Sequence, residues 1–374
     1  MAKNPGASLQ LVGAKVNLLV DAIEELRQLG LKEINTELPE LVLVGDQSAG
    51  KSTLMGAIAE INLPKDKGMC TRCPANIKTA PADTWSCSVS LHEYYHFTTE
   101  KSRVPTKAKP FPPWVENADP SPIVRPFKTI SKKEELENIL KWAQVALLNP
   151  TQDHRAFIPG SGSLAQHDLR PDYRHEADFS PNLVAIEISG PGLPALSFYD
   201  LPGIFASSAH KDEKYLIKVF ENLAGKYIKH ENALIICAIT MQNDPGLSRT
   251  AALIGELKAE RRTIGVLTMP DRLQDGSTHK DYDAILKGTA HVLPHGYFVT
   301  KQPGPGFVQN RSDYHQQARD EEDHYFDHDE RWTGEWSEYR ERCGTAAIQK
   351  YLSQEFARMI VYRYNHFPTI SSRY

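Results

Sequence analysis

The chain has no apolar run approaching the ~18 residues that a membrane-spanning helix requires, so no such helix is expected. Cysteine is scarce. The five present (Cys70, Cys73, Cys87, Cys237 and Cys343) are odd in number and scattered, which suits reduced thiols in a cytosolic protein better than a disulfide framework. An excess of positive charge is also missing: 43 Lys and Arg stand against 47 Asp and Glu, a net charge of −4. No global basic field therefore argues for nucleic acid or for an anionic membrane. Met1-Ala-Lys-Asn-Pro lacks the pattern of a signal peptide, and Ser371-Ser-Arg-Tyr374 lacks that of a lipidation box. A length of 374 residues allows two or three average domains, or one α/β domain enlarged by insertions.

Two metal-like spellings carry little. Cys70-Thr-Arg-Cys73 is a C-x-x-C without the second pair that a zinc site needs. His92-Glu-Tyr-Tyr-His96 spells H-E-x-x-H, but the zinc reading requires a helix. The alternation and β-formers around it predict a strand, where positions four apart lie ~13 Å from each other. One metal cannot bridge that distance.

What is present is concentrated in Leu41-Val-Leu-Val-Gly-Asp-Gln-Ser-Ala-Gly-Lys-Ser-Thr53. Four apolar residues read as a buried strand, and a loop bounded by Gly45 and Gly50 follows. Lys51, Ser52 and Thr53 then open a helix-like run to Glu60. This is the P-loop pattern G-x-x-x-x-G-K-[ST] in its confirming strand–loop–helix context. The backbone of Gly45, Asp46, Gln47, Ser48, Ala49 and Gly50 can curl around phosphate oxygens, and the helix N-terminus adds partial positive charge. Lys51 neutralises the β- and γ-phosphates, while the Ser52 hydroxyl is a ligand for Mg²⁺.

Around this stretch the chain predicts an amphipathic helix over 9–29, with Gly30 as its C-cap, and strands over 75–79 and 86–97. Residues 104–127 hold seven prolines and read as an extended connector or insertion. Ser131-Lys-Lys-Glu134 is a capping box opening a helix with Leu136, Ile139, Leu140, Ala143 and Leu147 on one face. A loop-like stretch fills 151–181. Strands at 183–189 and 195–199 are expected to be neighbours joined by a Gly-Pro turn. Helices near 213–229 and 248–260 then alternate with strands at 233–239, 263–267 and 296–300. Such alternation describes a three-layer α/β domain with a mostly parallel central sheet. Residues 311–342 are strongly charged; His324 and His328 among acids read as a solvated helical face. Thr345–Tyr364 is amphipathic through Ile348, Leu352, Phe356, Met359 and Ile360, the natural packing partner of the N-terminal helix. The expected division is a bundle helix over 1–36, a nucleotide domain over 37–310 with an insertion at about 100–181, and a charged segment with a second bundle helix over 311–374.

Further motifs follow the P-loop in order. Asp200 ends a strand and Gly203 follows, where a Mg²⁺-side carboxylate and a γ-phosphate-sensing backbone N–H belong. Thr71, in the loop after the P-loop helix, supplies a hydroxyl to Mg²⁺. Thr268-Met-Pro-Asp271 resembles the guanine-reading T-K-x-D element. The Asp271 carboxylate can accept from guanine N1–H and the exocyclic amine. Adenine has no such pair of donors on that edge, so GTP is favoured over ATP.

On these residues the chain resembles the GTPase domain of the dynamin superfamily, in the flavour of the dynamin-like and Mx-like proteins of fungi. The matching stretches are Leu38–Ser52, Gly68–Arg72, Asp200–Gly203, Glu231–Ile235, Arg262–Thr268 with Asp271, and Cys343–Lys350. The likeness runs from about residue 8 to 363, with 104–181 poorly matched. It implies a Mg²⁺-dependent GTPase whose catalysis is completed when two such domains meet as a homodimer. Ile204 stands where Ras-like switches carry a water-positioning glutamine; the resemblance implies that this work falls instead to Gln47 of the P-loop, with Thr71 beside it. Ser48 is implied to hold a monovalent cation (Na⁺ or K⁺) in place of an arginine finger, and Asp244 to reach across the dimer to the partner's nucleotide. Lys301 is the implied base contact in Thr300-Lys-Gln302, with Gln302 beside it. A cytoplasmic protein, peripheral on organelle membranes, with membrane or cytoskeletal partners, is what the family likeness implies; nucleic acid is not.

Three departures stand out. Met269 replaces the lysine of the guanine motif, keeping a stacking stem and losing the polar head, so weaker GTP binding is expected. Asp66 stands where a cation-coordinating glycine is usual. The sequence also stops before the helical stalk and effector segment of such proteins, with two of the three helices of a neck bundle. The rival expectation is therefore a GTP-binding module with little turnover. A P-loop ATPase or kinase is disfavoured by Asp271 and by Gln47-Ser48.

Overall fold

In β1 (Glu40–Gly45), Leu41 and Leu43 pack into one hydrophobic cluster while Val42 and Val44 pack into another, all at most 1% exposed. β9 (Ala233–Thr240) divides in the same way: Leu234, Ile236 and Ala238 on one face, Ile235, Cys237 and Ile239 on the other. A strand buried on both faces needs a layer on each. The first face is covered by α1 (Lys51–Ala59), α2 (Leu136–Leu147) and the start of α8 (Thr345–Asn365). The second is covered by α3 (Lys214–Ile228), α4 (Arg249–Glu256) and α5 (Ser277–Leu286). Phe326 of α6 (Tyr314–His328) and Trp332 of α7 (Glu330–Thr333) extend that second layer. At about 1.5–3 kcal/mol for each fully buried large apolar side chain, these two layers dominate the folding energy. The three-layer α/β expectation is met.

The computed structural model describes residues 40–61, 71–100, 102–166, 175–191, 193, 196–205, 213–304 and 314–365, with backbone alone over 360–365. The helix expected over 9–29, Asp66, Cys70 and the side chain of Ile360 lie outside the described residues.

The remaining strands of the main sheet are β2 (Ala75–Pro81), β3 (Ser86–Glu93), β6 (Ile123–Ile130), β7 (Leu183–Gly190), β8 (Leu196–Asp200), β10 (Thr263–Thr268) and β11 (Tyr297–Thr300). The order is β11-β10-β9-β1-β8-β2-β7-β3-β6. From β11 to β8 every pair is parallel, which sets the ends of β1, β8, β9, β10 and β11 along one rim. Beyond β8 the sheet is mixed: β2 is antiparallel to β8 and parallel to β7, and β3 is antiparallel to both β7 and β6.

Four details differ from the sequence reading. β7 and β8 are not neighbours, because β2 lies between them and pairs with both. The proline-rich stretch is no bare connector. It forms the hairpin of β4 (Tyr95–Phe97) with β5 (Trp114–Glu116), and then the edge strand β6. Pro126 is tolerated there because an edge strand has one side without a ladder, and the register shifts opposite it, between Val89 and Ser90. The capping box at Ser131 does not form: a 3₁₀ turn over Lys133–Glu135 leads into α2, and Leu136 N–H donates to Lys133 O. Ile348, Leu352 and Phe356 of α8 are buried with α1 and the sheet, so this face is occupied by the α/β domain itself.

The strand reading of H-E-x-x-H holds: His92 is in β3 and His96 in β4, in different sheets. Cys73 is fully buried, and burial holds its thiol far above the usual range, unlike a redox or metal-binding cysteine. His324 and His328 are exposed on α6 with their rings tilted against each other, and no group of three or more His, Cys, Asp or Glu placed to hold a metal is present among the described residues.

Candidate functional site

The loop from Gly45 to Gly50 is tied down on three sides. Ile204 N–H donates to Gly45 O at 3.2 Å, and Gln47 N–H donates to Ile204 O at 2.7 Å, stitching the loop to the segment after β8. The Thr268 hydroxyl, at the end of β10, donates to Ala49 O at 2.8 Å. The Asp46 carboxylate accepts from Thr250 at the start of α4. The Asp46 side chain therefore anchors the loop, and only its backbone is left for a ligand. Gly45 has no room for a side chain, since a Cβ would lie 2.7 Å from Ala238 O. Gly50 caps α1 at φ 77°, ψ 17°, a left-handed conformation in which glycine carries no strain. Thr53, half-buried in the first turn of α1, faces a cleft shared with Gln302 and Thr345.

Lys51 is buried, and its ammonium donates to Asp46 O at 3.0 Å, curled back over the loop. Ser52 Oγ donates to Asp200 Oδ2 at 3.0 Å. Asp200 is 5% exposed, and its other oxygen, Oδ1, is buried with no hydrogen-bond partner. Burial pushes the Asp200 carboxyl up to about 6, against the opposing pull of the Lys51 ammonium and the Ser52 hydroxyl. An orphaned buried carboxylate oxygen beside a serine hydroxyl is half of a hard-cation site. Thr71 is half-buried and lines the same cleft as Ser52 and Asp200. The three oxygens that the sequence assigns to Mg²⁺ are thus brought together, and the donor set fits that ion.

Gly203 packs under this corner. A Cβ there would lie 2.8 Å from Lys51 Nζ and 2.9 Å from Gln47 Cα, so any side chain would displace the phosphate-side groups. Ile204 is buried in the second hydrophobic cluster and contributes only backbone. Gln47 and Ser48 are exposed at the tip of the loop, Ser48 at φ 63°. They are the side chains placed to act in the space above it.

On the base side the placement is less uniform. Met269 adopts φ 56°, ψ 49°, with its Cε 3.5 Å from where a Cβ on Gly50 would sit, and Thr240 Oγ1 donates to its sulfur at 3.6 Å. Asp271 is exposed in the 3₁₀ turn Pro270–Arg272. The side chains of Lys301 and Gln302 are engaged by α6 and α8. The Lys301 ammonium pairs with Glu321 of α6, and Gln302 Nε2 donates to Thr345 Oγ1 at 3.0 Å. Asp244 is exposed on the same rim, capping the 3₁₀ turn Pro245–Leu247 through Gly246 N–H, next to a Leu247 that is 73% exposed.

Three participants were missed from sequence: Thr250, Glu321 and Glu322. Thr250 lies 204 residues from Asp46, and no local pattern links them. Glu322 left a trace, because Ala318, Glu322 and Phe326 recur every four residues on the buried face of α6.

Residues 41–270 match the model of the Dynamin family. Among curated proteins, interferon-induced GTP-binding protein Mx2 of Homo sapiens is 26% identical over 300 residues, covering 79% of this chain and 34% of the relative. Interferon-induced GTP-binding protein Mx1 of Canis lupus familiaris is 26% identical over 318 residues, covering 84% and 39%. Mx1 of Mus musculus is 25% identical over 318 residues, covering 84% and 41%. The chain thus spans 34% to 41% of the length of these three relatives.

Proposed function

As the chain belongs to the Dynamin family, we propose that its loop, Ser52–Asp200 corner and Asp271 bind GTP with Mg²⁺ and hydrolyse its γ-phosphate. The observation that carries this reading is the Ser52–Asp200 pair. A carboxylate oxygen is left unpaired in a buried corner next to the P-loop lysine, and an ion there would satisfy it. Ser52, Asp200 and Thr71 would hold the Mg²⁺, which when bound supplies charge neutralisation at the β- and γ-phosphates.

The chain's own residues do the rest. The Gly45–Gly50 backbone and the N-terminus of α1 cradle the phosphates, and Lys51 sets its ammonium against them. The Gly203 N–H faces the terminal phosphate. Gln47 orients the attacking water with Thr71 beside it, because Ile204 has no polar atom to offer. Ser48, with an exposed hydroxyl at the same tip, would hold a monovalent cation. Positioning and charge stabilisation of this kind are what phosphoryl transfer requires of a protein. Thr268 fixes the loop from below, and Asp271 reads guanine. Asp244 and the exposed Leu247 border the site on the rim, which supports pairing of two nucleotide domains face to face. A role in membrane remodelling, organelle fission or trafficking is inferred from family likeness alone.

The test is GTP turnover measured against protein concentration, with Lys51→Ala as the control. Specific activity rising steeply with concentration supports dimer-stimulated hydrolysis. A flat rate at the level of Lys51→Ala would leave the second reading, a guanine-nucleotide-binding module with little turnover. One observation favours that alternative: the Lys301 ammonium is engaged by Glu321, so base recognition is reduced. A thermal-shift comparison of GDP with ADP checks the base, and stronger stabilisation by ADP would overturn the guanine assignment.

A further inference from the structure

Glu322 of α6 is 3% exposed, and its two oxygens are divided between backbone N–H groups from distant parts of the chain. Oε1 accepts from Lys301 at 2.8 Å and Oε2 from Thr345 at 2.6 Å. Lys301 is the first residue past β11, and Thr345 is the first of the 21-residue helix α8. The parallel register sets Thr300 opposite Thr268. Lys301 and Met269 are thus the first residues beyond the last paired positions of these two neighbouring strands.

We propose that Glu322 is a positioning residue for nucleotide binding: it clamps the base-side segment Lys301–Gln302 to the N-terminus of α8 and so governs how long a guanine nucleotide stays bound. The inference rests on the guanine-nucleotide reading given above. A buried carboxylate is costly unless donors match it, and the two N–H groups supply that match. One of them is at a helix N-terminus, where partial positive charge favours an anion.

Neighbouring contacts extend the clamp. Gln302 donates to the Thr345 hydroxyl, and the Lys301 ammonium pairs with Glu321. Earlier on α6, Arg319 pairs with Glu60, the C-cap of α1, and also reaches Gln349 of α8 at 3.2 Å. Gln349 in turn donates to Ile58 O at 2.8 Å. α6 thus fastens both the phosphate-loop helix and the base-side strand to α8. Loss of Glu322 loosens the base side, where the Gln302–Thr345 and Lys301–Glu321 contacts remain, and spares α1, whose contacts run through Arg319 and Gln349. Retention of nucleotide should suffer, and the chemical step should not.

The experiment uses the full 374-residue chain with Mg²⁺ and a fluorescent GDP. Glu322→Gln keeps the shape but leaves one acceptor oxygen for two N–H donors. The expected result is GDP dissociation about tenfold faster than wild type, since a hydrogen bond to a charged group is lost. Turnover at saturating GTP should stay within about twofold, a binding effect without a chemical one. A folded Glu322→Gln protein with unchanged GDP dissociation overturns the clamp, as does a fall in saturated turnover with dissociation unaltered. Should that variant fail to fold, hydrogen exchange on the wild type decides. GDP should slow exchange at the Lys301 and Thr345 amides together, and a Thr345 amide indifferent to GDP refutes the coupling. Failure of the wild type to retain GDP sinks the guanine reading itself; retention with an indifferent variant sinks the clamp alone.

Discussion

Asp46 Oδ1 accepts from both the backbone N–H and the hydroxyl of Thr250, at 2.9 and 2.7 Å. Thr250 N–H is one of the donors left without a helical partner at the start of α4, and a carboxylate there also meets the positive end of that helix. A residue in the middle of the phosphate loop thereby fixes the loop to the layer that carries Asp244. Asp46→Ala should lower stability by about 1–3 kcal/mol, because a buried donor pair loses its acceptor. Asp46→Asn keeps an acceptor oxygen and should lose markedly less. Urea midpoints of the two variants check this, and equal losses would show that charge, rather than the bond, holds the loop.

Gly203→Ala is expected to damage catalysis more than binding. Its Cβ would lie within 3 Å of both Lys51 Nζ and Gln47 Cα, closer than real Cβ contacts allow, so the loop must shift. A misplacement of that size in a positioning mechanism costs on the order of 10²-fold in rate. Steady-state kinetics with GTP should show a fall in kcat far larger than any rise in the dissociation constant for GDP. Turnover near the wild-type level would mean that this corner is not where the terminal phosphate sits.

Met269→Lys should tighten GTP binding. The side chain already lies over Gly50, so a lysine stem can follow the same course and add a polar head. The left-handed backbone at 269 is unchanged by the substitution, because neither residue is β-branched. The gain expected from one added hydrogen bond is about 3- to 10-fold in affinity. Isothermal titration with GDP measures it, and weaker binding would place Met269 outside the base pocket.

Acid should act through Glu221. This carboxylate, 8% exposed, accepts from Arg249 at 2.6 Å and from Lys218 at 3.0 Å. Burial pushes its carboxyl up, but hydrogen bonds from Arg249 and Lys218 outweigh it and hold the group below the usual range. A carboxyl lowered by folding contributes stability above its unfolded pKa, which is lost as pH falls through the folded one. Glu221→Gln should therefore be less stable than wild type at pH 7, by about 1–3 kcal/mol for the lost charged bonds, and the gap should close only as pH falls below the usual glutamate range. Denaturation midpoints followed from pH 7 downwards give the comparison; parallel curves would assign acid lability to other groups.

The legible parts of the site were those whose chemistry is local. Gly45 to Ser52, Asp200 to Gly203 and Thr268 to Asp271 each compress a strand end and its loop into a few residues, and the structure sets all three on one rim. The two-faced burial of Leu41–Val44 was equally plain from the unbroken apolar run. What stayed hidden depends on pairings between distant segments. β2 entered between β7 and β8 because strand order is decided by ladders, which a short alternating stretch does not specify. Seven prolines concealed β6, since only at an edge can such a strand survive. The pairing of Lys301 with Glu321 and Glu322 is equally hidden, since nothing near Lys301 in sequence announces residues twenty and twenty-one positions on.

The strand order bears on how Thr71 would engage the proposed Mg²⁺. Ala75 opens β2 and pairs with Asp200 on one side and Val184 on the other. Arg72 O accepts from Ser180 N–H, and Cys73 is fully buried, so the chain is pinned one residue past the threonine. Recruiting that hydroxyl requires settling the torsions of one or two residues, at about 1–2 kcal/mol of entropy each, rather than ordering a whole loop. With so short a tether, Thr71 would join Ser52 and Asp200 around an ion at little thermodynamic cost. A change in its engagement would leave the β2 ladder, which begins at Ala75, intact.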